Sequence, residues 1–148
     1  MKKSVVILVT CMFLLCGCTF ERYEIGSDIS VSYITARYKN WDIEKTAAGV
    51  SLVQSFPMSS ITQDVINDGA VMVYFVDEEK DRDNILPYLF PVRIAGSNEI
   101  RLQNIRFDIE KGWITIVIEW DDGKECDILE NYKFKVCVIS QGDKRRVR

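Results

Sequence analysis

The chain has 148 residues, with 19 basic and 22 acidic side chains and no histidine. Its mildly acidic balance argues against nucleic acid as a partner, because nucleic acids are bound by basic surfaces. The lack of histidine excludes Ser-His and Cys-His nucleophile pairs and removes the most common zinc ligand. Any catalysis would therefore have to depend on carboxylates.

A short apolar segment at the amino terminus predicts export and lipidation. Lys2 and Lys3 precede it, and it is too short for a membrane span, which needs about 20 apolar residues. Its last residues, Leu15-Cys16-Gly17-Cys18, resemble the lipobox of bacterial lipoproteins. We predict that residues 1–17 are a signal peptide and that lipid on Cys18 anchors the chain to a membrane of the cell envelope. We expect this membrane to be the outer membrane, and the sequence does not distinguish its periplasmic face from its outer face. The alternative to lipidation is an ordinary signal peptide that is cut at another position.

The rest of the chain is long enough for one domain with a hydrophobic core. Residues 18–30 are polar and lack periodicity, which predicts a tether between the lipid and the domain. Residues 31–141 form the predicted domain. Residues 142–148 are predicted to be a basic, solvated tail, with contact to anionic lipid headgroups as the alternative.

Alternation of apolar and polar residues predicts a series of short strands. The clearest strand has Ile114, Ile116 and Ile118 on one face together with Trp120, and Glu110-Lys111-Gly112 predicts a tight hairpin turn before it. Residues 70–76 are apolar on both faces and predict a central strand. The predicted strands are 31–39, 50–56, 70–76, 88–94, 100–109, 113–120 and 132–140.

One short helix is predicted between the second and third strands. Ser60 can cap its amino end, and Gln63 completes a capping box; Thr62 is an alternative cap. Gly69 is expected to end the helix with a positive φ angle.

The apolar phase changes once among the later strands, between Leu102 and Ile105, which predicts a β-bulge near Gln103-Asn104. No long amphipathic helix and no β-α-β alternation is present in the sequence. The fold class predicted is therefore all-β, an antiparallel β-sandwich of about seven strands with one short helix.

Carboxylates at the end of one strand give the only candidate for an enzyme. Glu119 and Asp121 share a strand face and could have the separation of a glycosidase pair, about 5 to 9 Å. Trp113 and Trp120 nearby could stack on a sugar or pack in the core. We favour an ordinary turn, because Asp-Asp-Gly sequences are common in turns, and we expect no catalytic residue.

A second acidic segment, residues 77–84, has carboxylates at alternate positions, as calcium loops do. Counted from Glu79, however, the positions of the EF-hand glycine and glutamate are occupied by Asn84 and Phe90. A solvated hairpin loop is the favoured interpretation. We expect no metal site and no cofactor.

Two cysteines remain after Cys18. A disulfide between Cys126 and Cys137 is chemically allowed outside the cytoplasm, but two unpaired thiols are the favoured interpretation. The aromatic residues either pack in the core and at the edges or form a platform for a glycan. The candidates for a platform are Trp41, Tyr33, Tyr38, Tyr74, Tyr88 and Tyr132.

The central part of the sequence contains four features that occur together: an early Trp41, a Thr-x-x-Val-x-x-x-Gly-x-Val-x-Val-Tyr pattern in residues 62–74, Leu86-Pro87, and a closing strand at residues 135–139. In these features the sequence resembles a group of small secreted lipoproteins of Bacteroidota-type bacteria. The resemblance implies a compact β-rich lipoprotein domain of uncharacterised function, and it implies no catalytic residue.

The sequence therefore predicts a non-enzymatic binding or interaction module that is anchored to the envelope by lipid on Cys18. Its expected partners are the membrane and either an envelope protein or a glycan, and not nucleic acid. The alternatives are a small carboxylate-dependent glycan hydrolase and an assembly component of an outer-membrane complex.

Overall fold

The computed structural model describes residues 23–47, 49–94, 98–124, 128 and 130–146. Contacts between residues divide the chain into two units, residues 27–142 and residues 1–26 together with 143–148. The fold below is that of the first unit. Within the described ranges, no helix is long and apolar enough to cross a membrane. The predicted signal peptide and Cys18 lie outside them.

Two antiparallel sheets make up the fold, which confirms the predicted all-β sandwich. Sheet A has the strand order β1-β9-β4-β5, and sheet B has the order β2-β3-β8-β7-β6. The described residues contain one α-helix, α1, which spans Gln63–Asp68, and a 3-10 turn at Tyr38–Asn40. The strands are β1 Tyr23–Ala36, β2 Asp42–Thr46, β3 Gly49–Pro57, β4 Ala70–Asp77, β5 Arg82–Ile85, β6 Tyr88–Arg93, β7 Ile100–Glu110, β8 Trp113–Trp120 and β9 Tyr132–Arg146.

The core fills the space between the two sheets. From sheet B it receives the inward side chains of β8, which alternate as the sequence predicts, and those of β3 and β7 that pair with them. Sheet A contributes alternate residues of β4 and β9, and β4 lies inside its sheet, as predicted. Side chains with almost no solvent exposure are Val73, Ile105, Ile114, Ile116, Ile118, Phe134 and Val136.

β1 and β9 both extend beyond the strands that the sequence predicts. β1 begins at Tyr23, so residues 23–30 of the predicted tether lie in a strand. β9 continues to Arg146, so most of the predicted tail is also strand. The two strands are neighbours in sheet A. Backbone pairing does not require an apolar face, so the polar composition of these segments did not reveal it.

The predicted bulge in β7 is wrong. Consecutive residues of β7 pair with β8 and with β6 without a shift around Gln103 and Asn104. The apolar pattern changes in the sequence because an apolar side chain faces outwards and a polar one faces inwards: Leu102 is exposed, whereas Gln103 is 2% exposed. A polar residue therefore occupies a core position in a regular strand.

Helix α1 is capped at both ends by short-range contacts. The Thr62 hydroxyl, the alternative cap in the sequence prediction, accepts a hydrogen bond from the Val65 amide at 3.3 Å. Gly69 does end the helix, but its φ angle is −102°, so the predicted positive φ is wrong. A Cβ at Gly69 would lie 2.4 Å from the carbonyl oxygen of Ile139. Glycine is needed there because β9 approaches closely.

We expect Gly69→Ala to lower the free energy of unfolding by about 2 kcal/mol or more, because backbone atoms of β9 and α1 would have to move. Gly112→Ala is the matched control. Gly112 has φ +81° in the β7–β8 turn, and a Cβ there would meet no atom within 4 Å, so only backbone strain of about 1 kcal/mol is expected. Urea unfolding measures both values, and equal losses would contradict the steric explanation.

Candidate functional site

A cleft lies where the chain crosses from sheet A to sheet B. β5 is one edge of sheet A, β6 is one edge of sheet B, and only Leu86 and Pro87 join them. Leu86 is buried, and its amide donates to the carbonyl of Val73 at 2.8 Å, which fixes the crossing against β4. Beside this crossing is a cleft of about 610 Å³. Its volume lies within the usual range for small-molecule sites.

Aromatic rings form the floor of the cleft. Phe75 comes from β4, Tyr88 and Phe90 from β6, and Tyr132 from the start of β9. The Tyr88 and Phe90 rings have centroids 5.1 Å apart and an interplanar angle of 21°, and Phe90 and Phe75 are 5.9 Å apart at 15°. Tyr132 meets Phe75 edge-on at 5.3 Å. The first three rings are half-buried, so a nearly parallel set of aromatic surfaces borders the cleft.

A buried hydrogen bond supports this floor from below. The Tyr132 hydroxyl donates to Oε1 of Gln103 at 3.2 Å. Gln103 pairs with Phe90 on one side and with Trp120 on the other. The inward amide of β7 therefore holds the Tyr132 ring in position from the opposite sheet. This contact gives the polar core residue a structural role.

Charged side chains form the rim of the cleft and pair with one another. Asp77 contacts Lys80 at 3.0 Å and Arg82 at 3.9 Å. The hydrogen bond from Lys80 lowers the pKa of Asp77. Across the cleft, Lys133 contacts Glu78 at 2.8 Å, and this hydrogen bond raises the pKa of Lys133. Asp77 therefore stays negatively charged and Lys133 stays positively charged at neutral pH.

These ion pairs also bear on the acidic segment 77–84. It forms the β4–β5 hairpin, with its last residues in β5 and not in a loop. Asp83 is paired with Lys135, whose pKa this hydrogen bond raises, and Asp77 is already held by two cations. The described residues contain no cluster of three acidic or thiol groups that could hold a metal ion. A solvated hairpin describes the segment better than a calcium loop.

Glu119 and Asp121, the carboxylates considered as a glycosidase pair and disfavoured in the sequence analysis, do not line the cleft. Glu119 accepts hydrogen bonds from Arg106 and from the Ser51 hydroxyl, both at 3.2 Å. Desolvation opposes the charge on Arg106, but hydrogen bonds to Glu119 and Asp108 outweigh it and raise the pKa of Arg106. Asp121 accepts a hydrogen bond from the backbone amide of Leu102. Both carboxylates are thus engaged in structural contacts.

The six aromatic residues considered as candidates for a glycan platform are distributed over different surfaces. Only Tyr88 and Tyr132 line the cleft. Tyr33 and Tyr74 lie beneath the ammonium groups of two lysines of β9, Tyr38 is exposed in the 3-10 turn, and Trp41 packs against the core. Trp113 is 48% exposed, whereas Trp120 is buried in the core.

Sequence reasoning missed Phe75 and Phe90, which complete the floor. Aromatic residues two positions apart in a strand share a face, so Tyr88 and Phe90 could have been paired from their spacing. The contact of these rings with Phe75 could not be predicted from the sequence, because it depends on how the two sheets pack against each other. Cys137 is half-buried on β9 opposite Met72. Its possible disulfide partner, Cys126, lies outside the described residues, so the favoured pair of free thiols and the alternative disulfide both stay predictions.

No protein-family model, curated protein or solved structure matches the chain.

We expect Tyr132→Phe to lower the free energy of unfolding by about 1 to 2 kcal/mol, because the carbonyl oxygen of Gln103 loses a buried donor. Combining it with Gln103→Leu in a double-mutant cycle should give a coupling of about 1 kcal/mol. Tyr38→Phe, at an exposed tyrosine, is the control and should have little effect. Chemical denaturation of the four cycle members provides the measurement; additive losses would contradict the proposed support of the floor.

Proposed function

We propose that this protein is a lipid-anchored, non-enzymatic binding module of the cell envelope, and that a glycan occupies the cleft beside Phe75. The observation that carries the proposal is the aromatic floor formed by β4, β6 and β9 beneath a charged rim. A binding site of this kind combines apolar contact area with a few polar groups that fix orientation.

A glycan suits this combination of surfaces. One face of a pyranose ring presents C–H groups, which pack on aromatic rings, whereas its edge presents hydroxyl groups. The nearly parallel rings of half-buried Phe75, Tyr88 and Phe90 can pack against the C–H face of the sugar. The rim offers hydrogen-bond donors and acceptors to its hydroxyl groups, and these include Glu130 and Asn131.

The charges at the rim favour binding over hydrolysis. A glycosidase needs one carboxylic acid that remains protonated near the working pH, and this requires a raised pKa. The pKa of Asp77 is lowered by Lys80, and Glu78 is paired with Lys133. Glu119 is held by Arg106 outside the cleft. A hydrolase that uses these groups is therefore the less favoured alternative.

Anchoring by lipid rests on the resemblance of Leu15-Cys16-Gly17-Cys18 to a lipobox and on the apolar segment before it. β1 begins at Tyr23, five residues after Cys18. Even a fully extended chain of that length spans only about 17 Å. The tether that we propose is accordingly shorter than the sequence predicted, and β1 would begin close to the membrane surface.

Metabolic labelling with a radioactive or alkyne-tagged fatty acid tests the anchor. We expect the wild-type chain to be labelled and to sediment with membranes, and Cys18→Ala to lose both properties because no thiol remains for the diacylglyceryl group. Cys16→Ala is the control, since it removes a thiol two residues away and keeps a small residue before the lipidated cysteine. Labelling of Cys18→Ala would disprove the assignment.

Isothermal titration calorimetry with soluble oligosaccharides of envelope polymers tests the ligand. We expect the full-length protein in mild detergent to bind at least one of them, and Phe90→Leu to bind it at least tenfold more weakly, about 1.4 kcal/mol, because an aliphatic side chain offers no flat surface. Leucine keeps most of the volume, so the fold should persist.

Trp113→Leu is the matched control, because it removes an exposed aromatic ring outside the cleft and should leave the affinity unchanged. Three results would contradict the glycan proposal: no oligosaccharide bound at millimolar concentration, equal weakening by both substitutions, or binding of aromatic peptides alone. Turnover of a bound oligosaccharide would favour the hydrolase, and a stable complex with an outer-membrane protein in place of glycan would favour the assembly component.

A further inference from the structure

Among the strands that the structure describes, each sheet ends in two edge strands, and the four edges differ in their protection. Sheet A ends in β1 and β5, and sheet B ends in β2 and β6. An edge strand presents unpaired backbone N–H and C=O groups, which can pair with another chain. Proteins usually prevent this with short edge strands, charged side chains or proline.

Three of the edges carry such protection. β2 has five residues, which include Asp42, Glu44 and Lys45. β5 has four residues and begins with Arg82 and Asp83. β6 contains Pro91, which has no backbone N–H to donate.

β1 carries none of these features over most of its length. It has 14 residues, and positions 29–36 read Ile-Ser-Val-Ser-Tyr-Ile-Thr-Ala, without a charged residue or a proline. Ile29, Val31 and Tyr33 are 63%, 53% and 61% exposed. Large apolar side chains thus line one face of a long edge strand.

The free edge of β1 can be assigned from one contact with its neighbour. The hydroxyl of Ser140 on β9 donates to the carbonyl of Asp28 at 3.3 Å, so this carbonyl faces β9. Backbone groups alternate in direction along a strand. Ile29, Val31 and Tyr33 therefore direct their N–H and C=O groups towards the open side of the sheet.

We propose that a second copy of this chain pairs with β1 in antiparallel orientation, with the two-fold axis at Val31. In this register Val31 lies opposite the Val31 of the other copy, and Ile29 lies opposite Tyr33. Cross-strand pairs of aromatic and β-branched residues are favourable. Ser30 and Ser32 face each other, and the outward N–H and C=O groups all find partners.

The lack of like-charge contacts favours β1 over β2 for self-pairing. The register about Val31 places Asp28 opposite Ile34, so no like charges meet. The same two-fold arrangement of β2 would place Glu44 opposite itself, which is destabilising. Pairing through β1 joins the two A sheets into one sheet of eight strands. Ile29, Val31 and Tyr33 do not line the cleft, although the rim residue Lys133 lies over the Tyr33 ring. The inference therefore goes beyond the proposed function and does not require it.

Sedimentation velocity of the full-length protein in mild detergent tests the dimer. We expect a reversible dimer at tens of micromolar and at least a tenfold increase in its dissociation constant for Val31→Lys, which brings two ammonium groups together. Ile43→Lys is the matched control, since Ile43 is 49% exposed on the protected edge strand β2. A monomeric wild type, or equal effects of the two substitutions, would overturn the proposal.

Val31→Cys tests the register independently of dimer affinity. Residues paired across the axis would have Cα atoms about 5.5 Å apart, which is within the range for a disulfide. We expect mild oxidation to give a covalent dimer, with the bond between the two introduced thiols confirmed by mass spectrometry. Wild type and Ile43→Cys, which contain the same native cysteines, should not form this link. Efficient linking of Ile43→Cys, or none of Val31→Cys, would contradict the register.

Discussion

The alternation of side chains along β8 is the constraint on which most of the sandwich depends. Ile114, Ile116 and Ile118 are fully buried, and β8 is the middle strand of the five-stranded sheet. Its neighbours β3 and β7 pair with it in continuous register. A shift of one residue would turn every isoleucine of β8 towards solvent, so this strand fixes which residues of both neighbours face the core.

Gln103 shows how far that constraint extends. The register with β8 places it opposite Trp120 and hence inside, although its amide is polar. The cost of burying an amide is offset because Tyr132 donates a hydrogen bond to it from sheet A. The sequence displays only a change of apolar phase at this point, which is also what a bulge would produce. A bulge and a buried glutamine can be distinguished only when the hydrogen-bond partner of Gln103 on the other sheet, Tyr132, is known.

Central strands could be predicted from the sequence because burial imposes a periodicity of two on their residues. This holds for β8 and for residues 132–140 of β9, whereas β4 is recognisable as a central strand because both of its faces are apolar. Edge strands follow the pattern less clearly, since one side of their backbone and much of their side-chain surface remain in water. The sequence therefore predicts a tether and a loop where the structure has the amino-terminal part of β1 and the short β5. The cleft was missed for a related reason: its floor combines strands of two sheets, and their facing is a tertiary property.

The positions of the cleft and of the unprotected edge have a joint consequence. β1 and β5 are the two opposite edges of sheet A, and the cleft lies beside β5. The residues that would pair across the dimer do not line the cleft, so a dimer joined through β1 would carry two clefts. Two sites in one dimer can engage one polymer at once, so a repeating glycan would be bound with an avidity that neither cleft alone provides.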